Sequence, residues 1–448
     1  MHKSLLSLLF LISFCFGYTQ DAPLNLSLQD AIEFALVNNR TLKNAQRDIE
    51  AAKEQKWETI ATGLPQIDAN INYQNFIKQQ VSVVPSEFFG GEPGEFTEII
   101  FGTEQNVNAT ATLNQLIFDG SYIVGLQSTK VFLEISKFAK DKTILDVRKN
   151  VINAYGNVLL AKESEDILKR NQAVLRENLE ETRKIYENGL EEEESVEQLQ
   201  ITLAGIESLL KNATRLKNIA YQMFNLTLGI DINTPVKLTD TLEQLTASHI
   251  DLELLNAKED ISQNIDYLIA SNDKKSKELM VKLEKSKALP QLSGFINGGY
   301  QGFSNEFDFL QNDFNWNGFS SVGLNLNIPI FSSLGRTAKT QQAKINLEKA
   351  EENLTELEQQ LKLQIARAKS NYQFSIEDYL VKKDNLKLAE RIEAKNEIKF
   401  FEGIASSFEL RQAQQQLYNA QEEYLQSMFN VISNKTELET LLNTPYPN

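Results

Sequence analysis

Twice in this chain a pair of short segments alternating apolar and polar residues precedes a run with no proline and little glycine, and this duplicated order of elements constrains the fold more than any other feature. In the first pair, Ile67, Ala69, Ile71 and Tyr73 alternate with Asp68, Asn70 and Asn72. Val107, Ala109, Ala111 and Leu113 then alternate with Asn108, Thr110 and Thr112. In the second pair, Leu292, Ile296 and Tyr300 carry a weaker pattern. Val322, Leu324, Leu326, Ile328 and Ile330 alternate with Ser321, Gly323, Asn325 and Asn327. Successive side chains of a strand point to opposite faces, so each segment predicts a strand with one apolar and one polar face. The strands are expected at about 66–76, 106–118, 291–301 and 320–331.

The proline-free runs extend from Ser121 to Asn188 and from Leu334 to Glu402. Apolar or small residues recur at steps of three and four. They are Val147, Val151, Ala154, Val158 and Ala161 in the first run, and Leu347, Ala350, Leu354, Leu357, Leu361, Ile365, Ala368 and Tyr372 in the second. This is the pattern of coiled-coil packing. At the rise of an α-helix each run makes a rod of about 100 Å, longer than a compact domain requires. Shorter helices are expected at 27–62, 195–228, 251–288 and 407–442. Two short helices laid end to end match one long one, so each half packs a broken helix beside a continuous one, with the seam at mid-rod.

The halves share further landmarks. Leu64-Pro65 and Leu289-Pro290 precede the first strands, and Ile117-Phe118 and Ile330-Phe331 close the second strands. Gly189 and Gly403 each stand nine residues before a glutamine, Gln198 and Gln412. A repeat of roughly 215 to 225 residues is a duplicated half-molecule rather than a solenoid. The organisation expected is a signal peptide at 1–20, a first repeat at 21–235, a linker at 236–250 and a second repeat at 251–448.

Lys3 followed by a short apolar run ending near Gly17 predicts the secretory signal. The one cysteine, Cys15, falls inside it, and Phe14 stands where a lipoprotein site needs a small residue. The net charge of −16, with no basic patch, excludes nucleic-acid binding. No later stretch is apolar enough for a transmembrane helix, but membrane β-strands are only half apolar. Such strands must close into a barrel, and barrels formed by one chain begin at about eight strands. Four strands therefore require several copies, with Asn and Thr facing the lumen and the apolar residues facing lipid. Phe76, Phe118, Tyr300, Phe319 and Phe331 lie near strand ends, where interfacial aromatics are expected. No catalytic constellation, metal site or cofactor motif is present. His249 stands alone in the linker and is expected at the surface.

On the opening Leu28-Gln29-Asp30-Ala31-Ile32, the two Leu-Pro pairs, Leu116-Ile117-Phe118-Asp119-Gly120 and the two Gly-to-Gln turns, the chain resembles the TolC family of outer-membrane efflux proteins. The resemblance implies a mainly α protein with membrane β-strands. Its members are homotrimers whose four strands per chain form a 12-stranded β-barrel, continued by a trimeric α-barrel through the periplasm. It also implies an outer-membrane location and the export of solutes delivered by a periplasmic adaptor and an inner-membrane pump. The alternative is a secreted coiled-coil or adaptor protein. The periplasmic tip and adaptor-docking positions would be Gly189, Leu190, Glu191, Glu192, Glu193, Glu194, Gly403 and Ile404. The family's pore-lining positions fall on Glu409 and Gln412, with Ser195 and Gln198 at the matching places of the first half. Two readings of the Glu191 to Glu194 run stay open: a cation-attracting or adaptor-selecting mouth, and a solvated helix start whose acids favour the helix dipole. The segments 77–105 and 303–317 are expected as extracellular loops able to fold over the mouth.

Overall fold

The computed structural model describes residues 24–443; the signal peptide expected at 1–20 and the chain after Asn443 lie outside the described residues. In chain order the elements are β1 (Leu24–Leu26), α1 (Leu28–Asn38), α2 (Arg40–Ala61), β2 (Gln66–Asn75), β3 (Val81–Pro85), β4 (Phe96–Ile100), β5 (Gln105–Asp119), α3 (Gly120–Glu187) and α4 (Glu193–Leu228). They continue with β6 (Val236–Leu238), α5 (Leu242–Ser248), α6 (Ile265–Ser286), β7 (Gln291–Ser304), β8 (Asn317–Asn327), α7 (Gly335–Phe401) and α8 (Ser407–Leu441). Among the described residues no helix is long and apolar enough to cross a membrane.

The chain divides into two compact units that cut across the sequence repeat. A helical unit holds 24–48, 137–269 and 355–443, and a strand unit holds 49–136 and 270–354. Each unit thus draws from both halves of the chain.

In the strand unit, β2, β5, β7 and β8 form one antiparallel sheet in that order. The weak pattern after Pro290 is a full strand that extends to Ser304. The last strand is shorter than its alternation suggests and ends at Asn327 rather than Phe331. Pro329 has no N–H to give a ladder, which ends the pairing there. The loop after β2 holds an unforeseen hairpin, β3 with β4.

The helical unit has its core where α1, α3, α4, α5, α7 and α8 meet. Val151, Tyr155, Val158, Phe224, Tyr372, Val431 and Ile432 are buried there. Both core tyrosines tie chain crossings to the long helices. The Tyr155 hydroxyl lies 2.7 Å from Asp240 Oδ2 and 3.1 Å from the Leu26 carbonyl. The Tyr372 hydroxyl donates to the His249 carbonyl at 2.6 Å and accepts from the Asp251 amide at 2.8 Å. The stretch 236–250, expected as a linker, is built into this core: β6 pairs in parallel with β1, and Leu242 and Leu245 of α5 are buried. His249 is correspondingly half-buried against α5 rather than free at the surface. Desolvation, then the nearby Lys435 and Arg148 cations, hold its imidazole down to about 4.

The seam between short helices is made the same way in both halves. At the first, the Asn39 side-chain carbonyl accepts from the Thr41 and Leu42 amides and starts α2, while its amide donates to the Thr227 carbonyl in the last turn of α4. At the second, Asn264 accepts from the Asp266 and Tyr267 amides at the start of α6 and donates to the Leu441 carbonyl at the end of α8. One asparagine therefore caps two helix ends whose backbone groups lack intrahelical partners. Two residues beyond each acceptor, Gly229 and Asn443 both take the left-handed conformation. Gly229 has no alternative, because a Cβ there would lie 2.5 Å from the Asn38 carbonyl oxygen.

Candidate functional site

The sheet sorts its side chains into two faces through strand register. On one face, the rows Ile67–Leu113–Ile296–Val322 and Ala69–Ala111 are apolar, and Leu292 and Leu326 extend them. On the other face, Asp68, Asn70 and Asn72 meet Thr112, Thr110 and Asn108, and these continue into Asn297, Gly299 and Gln301. The apolar face is unprotected: Val322 is 80% exposed, Ile71 77% and Leu324 72%. Such a face in water is a large liability, and its partner is lipid or another apolar surface. Phe118 lies on the apolar face, displaced there by an irregularity in β5 between Leu116 and Phe118, and Tyr300 shares that face. Phe319 pairs with Gly299 on the polar face, so it is not part of the expected outward girdle. Among the described residues β2 and β8 are each paired on one side only, which leaves two open edges.

The two turns between long and short helices have matching geometry. Leu190 N–H donates to the Ile185 carbonyl and Gly189 N–H to that of Tyr186. Ile404 and Gly403 do the same with Lys399 and Phe400. These are Schellman closures, and Gly189 and Gly403 take the φ of +75° and +73° they require. The residue after each glycine normally packs back on its helix. Here Leu190 is 79% and Ile404 70% exposed, so both turns present an apolar residue outward.

Beyond the turns the two hairpins differ. Glu409 closes a capping box with Ser406, its carboxylate accepting from the Ser406 amide at 2.8 Å, and this hydrogen bonding holds it below the usual carboxylate range. Glu409 and Gln412 are exposed. Ser195 is buried and donates to Glu191 at 2.5 Å, while Gln198 donates to Glu194 and lies 3.5 Å from the Ser407 hydroxyl. Gln198 and Ser407 thus bring the first hairpin against the second. Glu192, Glu193 and Glu194 remain exposed at the start of α4.

The model of the outer membrane efflux protein family matches residues 31–229 and 273–444. The chain belongs to that family. Membership places this efflux protein in the outer membrane, reaching into the periplasm, and makes it a carrier of outward transport. Its fold is also that of solved structures. One is CusC, at 17% identity and a TM-score of 0.73, with 95% of each chain covered. Another is the outer membrane channel CmeC of Campylobacter jejuni, at 18% and 0.71, covering 93% of this chain and 85% of that one. A third is VceC of Vibrio cholerae, at 16% and 0.70, covering 93% and 95%. No curated protein matches the efflux protein in sequence.

A polar group near the second turn had no sequence signal. Glu397 on α7 accepts from Asn178 of α3 at 2.8 Å, and Glu393 stands one helical turn earlier. Burial, and then the Glu397 carboxylate, push Glu393 up to about 6. The same two carboxylates act on Tyr418 of α8, whose hydroxyl is raised chiefly by burial. Spacing alone could not find this group, because acids at i and i+4 on a helix are usually solvated. A raised carboxylate holds its proton longer when folded, so this group favours the folded state below 4.5 and loses that contribution as pH rises toward 6. Replacing Glu393 by Gln is therefore expected to raise the thermal midpoint at pH 7 and leave it little changed at pH 4.5. Equal shifts at both pH values would count against this origin.

Proposed function

We propose that three copies of this efflux protein join their sheets edge to edge into a 12-stranded barrel, and that the helices form a periplasmic conduit receiving solutes from an inner-membrane pump through a periplasmic adaptor. The observation that carries this reading is the sheet, with one exposed apolar face, one polar face and two unpaired edges. Open strand edges are not tolerated in lipid, and pairing β8 of one copy with β2 of the next removes them all. The polar rows of Asp68, Asn70, Thr110 and Thr112 then line the lumen.

At the tip, the exposed Glu409 and Gln412 supply the constriction, with Ser195 and Gln198 bracing the first hairpin behind them. The outward Leu190 and Ile404, on the turns made by Gly189 and Gly403, offer the adaptor its apolar contacts. Glu191, Glu192, Glu193 and Glu194 surround the mouth with negative charge and favour cations or a basic adaptor surface.

The test is the mass and single-channel conductance of the protein extracted from outer membranes. A conducting trimer is expected; a monomer that does not conduct would reject the barrel. Converting Glu191 to Glu194 to Gln is expected to lower cation preference in the same bilayers, and unchanged selectivity would reduce these acids to a helix start.

A further inference from the structure

The loop between β7 and β8 lies back on the apolar face of the sheet. Gly302 shares the face of Val107 and Tyr73, and a Cβ on it would stand 2.7 Å from Phe314 Cε1 and 3.1 Å from Phe309 Cδ1. The missing side chain is the seat for those two rings. Tyr73 meets Phe307 and Phe309 edge-on, with centroids 5.6 and 6.1 Å away. Phe314 links Phe309 at 5.1 Å to Trp316 at 5.2 Å. Phe309 is buried at the centre, whereas Phe307 faces outward and Leu310 is 85% exposed. The loop's charges are Glu306, Asp308 and Asp313, without a lysine or arginine.

We propose that residues 305–316 form an aromatic ledge that inserts into the outer leaflet, at the boundary between acyl chains and head groups. This inference rests on the outer-membrane barrel reading. A loop closing over the lumen would rest its rings on the polar rows of Asn72, Gln74 and Gln301. Here they rest on the opposite face and continue the apolar surface of Ile71, Ile296 and Val322 past the strand ends. Aromatic rings are suited to that depth, where one edge meets hydrocarbon and the other water. The ledge thus widens the chain's apolar footprint at the cell surface, and its partner is lipid rather than the channel mouth.

Trp316 is its own reporter, since the only other tryptophan is Trp57. The full-length Trp57→Phe protein is reconstituted in two sets of phosphatidylcholine vesicles, one brominated near the head groups and one at the middle of the acyl chains, with Trp57→Tyr as a second background. As an independent marker, Val322→Cys carries a fluorescent label at the middle of the apolar face. Trp316 emission is expected to fall at least about twofold with brominated lipid and to be little affected by iodide in the water. In a Gly302→Val variant, which displaces the rings, iodide quenching should rise. If iodide alone quenches Trp316 while bromine quenches the label at position 322, the ledge is rejected and the barrel stands. If bromine quenches neither, the barrel reading falls, and the ledge with it.

Discussion

Arginine at position 322 is expected to keep the chain from holding a stable place in the outer membrane, whereas arginine at position 321 leaves it there. Val322 sits mid-strand on the apolar face opposite Ile296, and Ser321 sits opposite Asn297 on the polar face. A cation on the lipid side of a barrel near the bilayer centre destabilises it by about 2–4 kcal/mol, a loss each copy in an assembly repeats. On the lumen side the same charge stays hydrated. Outer-membrane fractionation and the resistance of the oligomer to detergent, compared for Val322→Arg and Ser321→Arg, read the difference directly. Equal tolerance of both would mean that the two faces have been assigned to the wrong solvents.

The second large effect is expected at the helix seams. Asn39→Ala removes the cap of α2 and leaves the Thr227 carbonyl without its donor. A lost N-cap costs about 1 kcal/mol, and losing the hydrogen bond to the half-buried carbonyl adds about 0.5–1.5 kcal/mol. Asn264→Ala should behave alike, because it severs the matching bonds to Asp266, Tyr267 and Leu441. Aspartate separates the two contributions. It still accepts from the amides at the helix start but cannot donate to the carbonyl, so Asn39→Asp is expected to fall between wild type and Asn39→Ala in thermal unfolding. An Asn39→Ala protein as stable as wild type would show that the seam is held by packing alone.

Much of the architecture was legible because long-range order in this chain rests on local periodicity. The period of two at Ile67 to Tyr73 and Val107 to Leu113 marks strands wherever they end up, since one face must meet a different solvent from the other. Gly189 and Gly403 were legible for a similar reason: a left-handed residue closing a helix is a local demand, met by glycine. Helix ends without such a marker were read less well. The start of α6 lies at Ile265, and the break between α1 and α2 falls at Asn39, because an asparagine serving as a cap looks like any other polar residue until its partner arrives. The segment 236–250 looked like a linker because Leu242 and Leu245 are few and closely spaced, and only their packing against α8 reveals them as core. Beyond the two helix turns, Ser195 and Glu409 each stand six residues after the glycine, yet one is buried and the other exposed.

The sequence by itself determined the elements, their duplication, the two faces of each strand and the glycines that turn the helices, because each depends on residues within a few positions of one another. Tertiary structure alone decided that β5 pairs with β7 across the repeat, that Asn39 and Asn264 join helices distant in sequence, that Glu393 is half-buried beside Glu397, and that the aromatic loop rests on Gly302. These depend on which surfaces meet, and the free energy of meeting belongs to pairs of segments far apart in the chain, which no local pattern encodes.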